Sequence, residues 1–135
     1  MKVVVLTTLR HERIGECQEA VRRWADAGDE VRLITMHPYD ASAWPVAGMV
    51  VLGPPTTGAR FGTLSRALVR VYPGSPGRQL RRRVRASAEA RAALEGADLV
   101  ASADTPAVLA LWWSSRRHPS APHIAGLGSA LQQRR

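Results

Sequence analysis

The sequence predicts an α/β domain: a doubly wound, mainly parallel sheet of about five strands, flanked by helices. Three observations predict it. Short apolar runs rich in β-branched residues recur along the 135 residues, each suited to a strand buried on both faces. Between them lie segments whose apolar residues repeat at helical spacing. Glycine or proline stands at most of the boundaries.

Val3-Val4-Val5-Leu6 reads as the first strand, and residues 7–13 as a polar loop. Ile14, Cys17, Ala20, Val21 and Trp24 then share one helix face, with Glu16 and Glu19 ahead of Arg22 and Arg23 as the helix dipole prefers. Gly28 is placed to end that helix, and Val31-Arg32-Leu33-Ile34-Thr35 is the second strand. A β-α-β unit of this kind crosses over right-handed. Residues 37–48, with Pro38, Pro45 and Gly48, read as loop. Met49-Val50-Val51-Leu52 is the third strand, closed by Gly53-Pro54-Pro55. Gly58 and Gly62 mark a turn region, after which Leu64, Ala67, Leu68 and Val71 recur at helical spacing. Residues 72–77 break that helix. One longer helix is expected over residues 78–94, with Leu80, Val84, Ala88 and Leu94 inward and Gly96 at its end. Asp98-Leu99-Val100-Ala101-Ser102 is the fourth strand. Asp104 or Thr105 can cap the next helix, with Pro106 in its first position, and that helix is apolar nearly all round through Trp112 and Trp113. His123-Ile124-Ala125 is the fifth strand, and Gly126-Leu127-Gly128-Ser129 reads as a glycine-rich turn. The order describes one Rossmann-like domain over residues 1–135.

The longest apolar run, ending in Trp112-Trp113, is too short to span a bilayer, and the amino-terminal apolar stretch meets Arg10 and Arg13 too soon for a secretory signal. A cytoplasmic protein is expected. The one cysteine, Cys17, allows no internal disulfide and no cysteine-based metal cage. His37, His118 and His123 lack metal-ligand spacing, so neither a metal nor a cofactor is expected. Charge is unevenly spread. Residues 41–88 contain no acid but hold Arg60, Arg66, Arg70, Arg78, Arg81, Arg82, Arg83 and Arg85, as many cations as the whole formal excess of +8. Such a segment is a solvated face or a surface for phosphates, acidic lipids or an acidic partner.

Two stretches resemble GT-B fold glycosyltransferases. The first runs from the first strand, through a polar loop with Gly15 and an amphipathic helix, to Ala27-Gly28-Asp29-Glu30-Val31-Arg32-Leu33-Ile34-Thr35. The second runs from Ala97-Asp98-Leu99-Val100 to Pro122-His123-Ile124: a strand ending in a polar residue, a helix of small and apolar residues with arginine at its end, then a strand after proline. The resemblance implies the amino-terminal, acceptor-side half of such an enzyme, without the carboxyl-terminal domain that holds the sugar nucleotide. A half of this kind works with a separate donor-binding chain or persists without catalysis.

Four groups of residues are candidates for function. His11 and Asp104 lie in loops after the first and fourth strands, where ligands of open α/β sheets bind, and a carboxylate-oriented histidine is a competent base for an acceptor hydroxyl. One glycosyltransferase family places a histidine and an aspartate in these loops. Arg10-His11-Glu12-Arg13 departs from its pattern, lacking the small residue before the histidine and the proline after it. Gly15, with Arg13 just before it, marks a helix start suited to an anion, although no G-x-G-x-x-G follows the first strand. Arg81 and Arg82 belong to the basic segment, on a helix that turns consecutive side chains in different directions. Of the tandem tryptophans, core packing accounts for one, and Trp113 is the expected partner anchor. The expected function is a glycosyltransferase-like acceptor-side domain acting with a partner chain or as a homo-oligomer. The alternative is a non-enzymatic interaction protein on the same scaffold. An anionic lipid surface or acceptor suits the basic segment. A nucleic-acid-associated basic protein is the third reading and the least expected, because no aromatic residue interleaves the arginines between Pro73 and Trp112.

Overall fold

Side chains of successive strand residues point alternately into two apolar layers, and this alternation organises the molecule. The computed structural model describes residues 1–10, 14–54 and 74–133. Its five parallel strands are β1 (Lys2–Thr7), β2 (Glu30–Thr35), β3 (Gly48–Val51), β4 (Leu99–Ser102) and β5 (His123–Ala125), arranged β3-β2-β1-β4-β5. This is a Rossmann-like doubly wound sheet, as the sequence predicts. Its helices are α1 (Gly15–Asp26), α2 (Pro76–Ala86), α3 (Ala88–Glu95), α4 (Val108–Arg117) and α5 (Leu127–Gln132). Val3 pairs with Val31 on one side and Leu99 on the other, and Val5 with Leu33 and Ala101. These six residues join Cys17, Ala20, Val21 and Trp24 of α1 and Ala130 of α5 in one layer. Val4, Leu6, Ile34, Val50 and Val100 meet Leu80 and Val84 of α2, Ala90, Ala93 and Leu94 of α3, and Ala110 and Leu111 of α4 in the other. Leu6, Leu33 and Leu80 have no exposed surface, and each such side chain stabilises the fold by about 1.5–3 kcal/mol.

Gly28 ends α1 as expected. Its φ is +83°, its N–H donates to the Ala25 carbonyl, and the Asp29 N–H reaches back to the Trp24 carbonyl at 3.0 Å. Three expectations need correction. The single helix over 78–94 is two helices, broken at Ser87, whose backbone is extended at φ −86° and ψ 116°. Ser87 closes α2 through its N–H to the Arg83 carbonyl and opens α3 by accepting the Ala90 N–H on its hydroxyl. The break shifts the helical phase, so Ala90, Ala93 and Leu94 are buried while Ala88 is exposed. The glycine-rich turn after β5 is instead the start of α5, with Gly126 at φ +94° ahead of it. The third correction concerns the tryptophans: Trp113 packs against the second apolar layer, whereas Trp112 is 51% exposed.

Helices α2 and α4 pack side by side on one face of the sheet. They start together, because Gly77 lies against the backbone of Pro106; a Cβ there would stand 2.4 Å from the Pro106 carbonyl oxygen. Among the described residues no helix is long and apolar enough to cross a membrane.

Candidate functional site

The chain proceeds outward from β1 to β2 and β3, then returns to β4 on the other side of β1. Ligand crevices of such sheets open where the order reverses, above the carboxyl ends of β1 and β4. Thr7 and Thr8 leave β1 there, Thr35, His37 and Tyr39 follow β2, and Ser102 and Asp104 end β4.

Asp104 is half-buried. Its Oδ1 accepts the Thr8 N–H at 3.0 Å, and its Oδ2 accepts the Thr8 hydroxyl. Asp104 holds the capping position ahead of a 3-10 turn (Thr105–Ala107), yet its side chain makes no cap hydrogen bond; the carboxylate is turned to β1 instead. Burial pushes its carboxyl pKa up, and the hydrogen bonds from Thr8 and Thr7 offset this only in part. Beneath it, Cys17 has no exposed surface, and burial together with the Asp104 charge pushes its thiol up to about 12.

Tyr39 closes the β2 side. Its ring stacks on Trp44, with centroids 5.5 Å apart and planes 24° from parallel, and its hydroxyl donates to the Leu9 carbonyl. Burial raises the phenol pKa, hydrogen bonding to Thr35 and Thr7 opposes this, and the Cys17 and Asp104 charges add to the rise. The Thr7 hydroxyl accepts the Leu9 N–H at 3.0 Å, and the Thr35 hydroxyl accepts the His37 N–H at 3.1 Å. His37 is half-buried, and burial followed by the Arg10 charge lowers its pKa, so its imidazole is neutral at pH 7. The edge therefore gathers a carboxylate, a phenol, an imidazole and three threonine hydroxyls, of which those of Thr7 and Thr35 have no exposed surface. Its half-buried members, Thr8, His37 and Asp104, are of the types that hydrogen-bond hydroxyl groups and accept protons.

His11 and Arg13 lie outside the described residues, as do Arg60, Arg66 and Arg70. Asp104 stands at the expected edge. Gly15 opens α1, with Ile14 ahead of it making no side-chain cap and Glu16 in the first turn. A Cβ at Gly15 would meet nothing within 4 Å, so no close approach requires glycine there. The arginines of α2 diverge. Arg82 is exposed, Arg81 is half-buried, and Arg83 turns back to the loop after β3. One Arg83 Nη1 serves the carbonyls of Gly53, Pro54 (2.7 Å) and Leu52 (3.4 Å), while Nη2 donates to Gln79 Oε1 at 3.3 Å. No group of three or more metal-ligating side chains forms among the described residues.

Sequence reading missed Thr8, Tyr39 and His37. The tandem Thr7-Thr8 at a strand end was the available signal; Tyr39 lies in a stretch that reads as plain loop. It also missed a Ser–His pair elsewhere. The His123 Nδ1 donates to the Ala121 carbonyl at 2.7 Å, which leaves Nε2 to accept the Ser114 hydroxyl at 2.9 Å. Ser114 has no exposed surface, so this pair clamps α4 to β5 and cannot meet a substrate. No protein-family model matches the chain, and neither a curated protein nor a solved structure matches it.

Proposed function

We propose that this chain is the acceptor-side half of a nucleotide-sugar glycosyltransferase, active only with a partner chain, or a second copy, that supplies the donor-binding half. The observation that carries the reading is Asp104, a half-buried carboxylate at the β1–β4 switch point, bonded to Thr8 on the loop that continues to His11. In this reading His11 takes the proton of an acceptor hydroxyl as its oxygen attacks the anomeric carbon and the nucleoside diphosphate leaves. Asp104 orients the imidazole and stabilises the imidazolium. The half-buried side chains of Thr8 and His37 beside Asp104 suit a hydroxylated acceptor, since each offers hydrogen-bonding groups at this edge.

The test is affinity capture from the native host at moderate salt, followed by sugar-transfer assays on the recombined chains. Recovery of a chain with a second Rossmann-like domain, transfer only in the mixture, and loss of transfer in His11→Ala and Asp104→Ala are expected. Capture of the chain alone, together with donor turnover untouched by His11→Ala, overturns the reading.

A second reading, association without catalysis on the same scaffold, is favoured by the exposure of Trp112. It predicts that His11→Ala is silent while Trp112→Ala breaks assembly, as read by light scattering.

A further inference from the structure

We infer that the outer face of α2 and α4 docks on an anionic membrane surface. The inference is independent of sugar transfer, because it is tested on this chain alone. Positions Arg78, Arg81, Arg82, Arg83 and Arg85 of α2 and Arg116 and Arg117 of α4 carry every charge on these two helices, and all are positive. Arg83 is turned inward to backbone carbonyls, whereas Arg82, Arg85, Arg116 and Arg117 are exposed. The acids nearest in the chain are Glu89, on α3 beyond the break at Ser87, and Asp104 ahead of α4, whose carboxylate is turned away to Thr8.

The aromatic residue missing among the arginines in sequence is supplied by the neighbouring helix. Counted from the Gly77–Pro106 contact, Arg82 stands roughly 7.5 Å along α2, and Trp112 roughly 9 Å along the 3-10 turn and α4 packed beside it. Trp112 is 51% exposed, and the Arg116 guanidinium lies 4.2 Å from its ring centroid, pairing cation and indole on one surface. Val108, Leu109 and Trp113 of the same helix are half-buried, so apolar surface continues beside the indole.

Charge and apolar surface together choose the occupant. Arginines attract an anionic leaflet, and an indole with an adjoining cation suits the headgroup boundary, where its ring meets hydrocarbon and its N–H meets water. A nucleic acid strand would use the cations but has no need of Val108 and Leu109. A second copy through this face would set arginine against arginine.

The test is flotation with vesicles of phosphatidylcholine alone and of phosphatidylcholine with about a third phosphatidylglycerol. Binding to the anionic vesicles only is expected, with loss at high salt and a blue shift of tryptophan emission. Trp112→Ala should remove the blue shift and weaken binding, and Arg85→Glu/Arg117→Glu should weaken it about tenfold or more. Far-UV circular dichroism and a thermal melt establish that each variant is folded. A folded charge-reversed variant that binds as wild type overturns the inference, as does equal binding to neutral vesicles or none to anionic ones. Retention by polyglutamate or an oligonucleotide with no vesicle binding also overturns it, and assigns the face to a soluble polyanion.

Discussion

The Asp104 carboxylate holds both the backbone N–H and the hydroxyl of Thr8, tying the loop after β4 to the loop after β1 across the point where the sheet reverses. The tie spans 96 positions of sequence. A half-buried carboxylate costs free energy unless hydrogen bonds meet it, and Thr8 supplies two from one residue. Burial still wins, since the carboxyl pKa lies above its ordinary value. Asp104 is therefore destabilised in its charged form, at the place where a ligand would enter.

This gives the sign of its pH effect. The folded protein binds the Asp104 proton more tightly than the unfolded chain does. The stability so gained is fully present below the ordinary carboxyl pKa and is lost as pH rises through the folded value. Asp104→Asn keeps an oxygen for the Thr8 N–H and a donor for the Thr8 oxygen without the charge. It should be as stable as wild type or more so at pH 7, and it should flatten this segment of the stability–pH curve. Denaturant melts from pH 4 to 7 check both; a clear loss of stability at pH 7 would show that the charge itself holds the loops.

The sheet was legible in the sequence because strands buried on both faces must be apolar throughout, as in Val3-Val4-Val5-Leu6 and Leu99-Val100-Ala101. The break at Ser87 was not. Leu80, Val84, Ala88 and Leu94 fit one helix well enough, and Ala90 three residues after Ser87 gives no capping-box partner. The choice between Trp112 and Trp113 turns on helix phase, which a run apolar on nearly all sides does not define. Asp104 was legible as a polar residue at a strand's carboxyl end. Its partner Thr8 was not, nor was Tyr39, which bonds the Leu9 carbonyl, because each acts through a contact between separate loops.

Gly77 and Gly15 should respond oppositely to alanine. At Gly77 the added Cβ would fall 2.4 Å from the Pro106 carbonyl oxygen, a backbone atom that moves only if α2 or the 3-10 turn moves. Gly77→Ala should cost about 1–3 kcal/mol, the usual range for overpacking. Gly15→Ala meets no neighbour within 4 Å and should be neutral or stabilising by up to ~0.5 kcal/mol, through the smaller entropy of the unfolded chain. Urea melts of the two variants decide it, and equal effects would mean that the α2–α4 approach is soft.

Burial, followed by the His118 charge, lowers the His123 pKa below 6.5, although the Ala121 hydrogen bond opposes this. Neutral His123 is the form that accepts the Ser114 hydroxyl. Its contribution to stability is present above pH 6.5 and is lost as pH falls through the depressed folded value. By NMR, His123 should titrate with a midpoint below 6.5. Ser114→Ala should raise that midpoint and cost about 1–2 kcal/mol at pH 8, where the unpaired Nε2 is buried. A midpoint at or above 6.5 in wild type would contradict the clamp.

Cys17 should be silent to thiol reagents in the native state. It has no exposed surface, and its pKa is pushed up to about 12, so both access and thiolate are missing at pH 8. Labelling with an aromatic disulfide should be complete in denaturant and should follow global unfolding without it. Rapid native labelling would place a breathing motion between α1 and the sheet beneath Asp104.

The arginines of α2 divide into Arg83, which turns inward to hold the fold, the half-buried Arg78 and Arg81, and the exposed Arg82 and Arg85. Arg83 serves the carbonyls of Leu52, Gly53 and Pro54 from one nitrogen, where the chain leaves β3 and Gly53 turns at φ +90°. Those carbonyls follow the last rung of the β2–β3 ladder, made by the Leu52 N–H to the Thr35 carbonyl, so without the guanidinium they lose their fixed donor. Arg83→Ala should cost about 1.5–3 kcal/mol, the range for hydrogen bonds to a charged group. Arg83→Lys should recover only part of this, since an ammonium lacks the planar fork that reaches Gln79 and the carbonyls together. Arg85→Ala, at an exposed position, should fall within about 0.5 kcal/mol of wild type. Guanidinium melts of the three variants make the comparison. If Arg85→Ala costs as much as Arg83→Ala, the basic segment stabilises the fold as a unit, and its charge is not available for an outside partner.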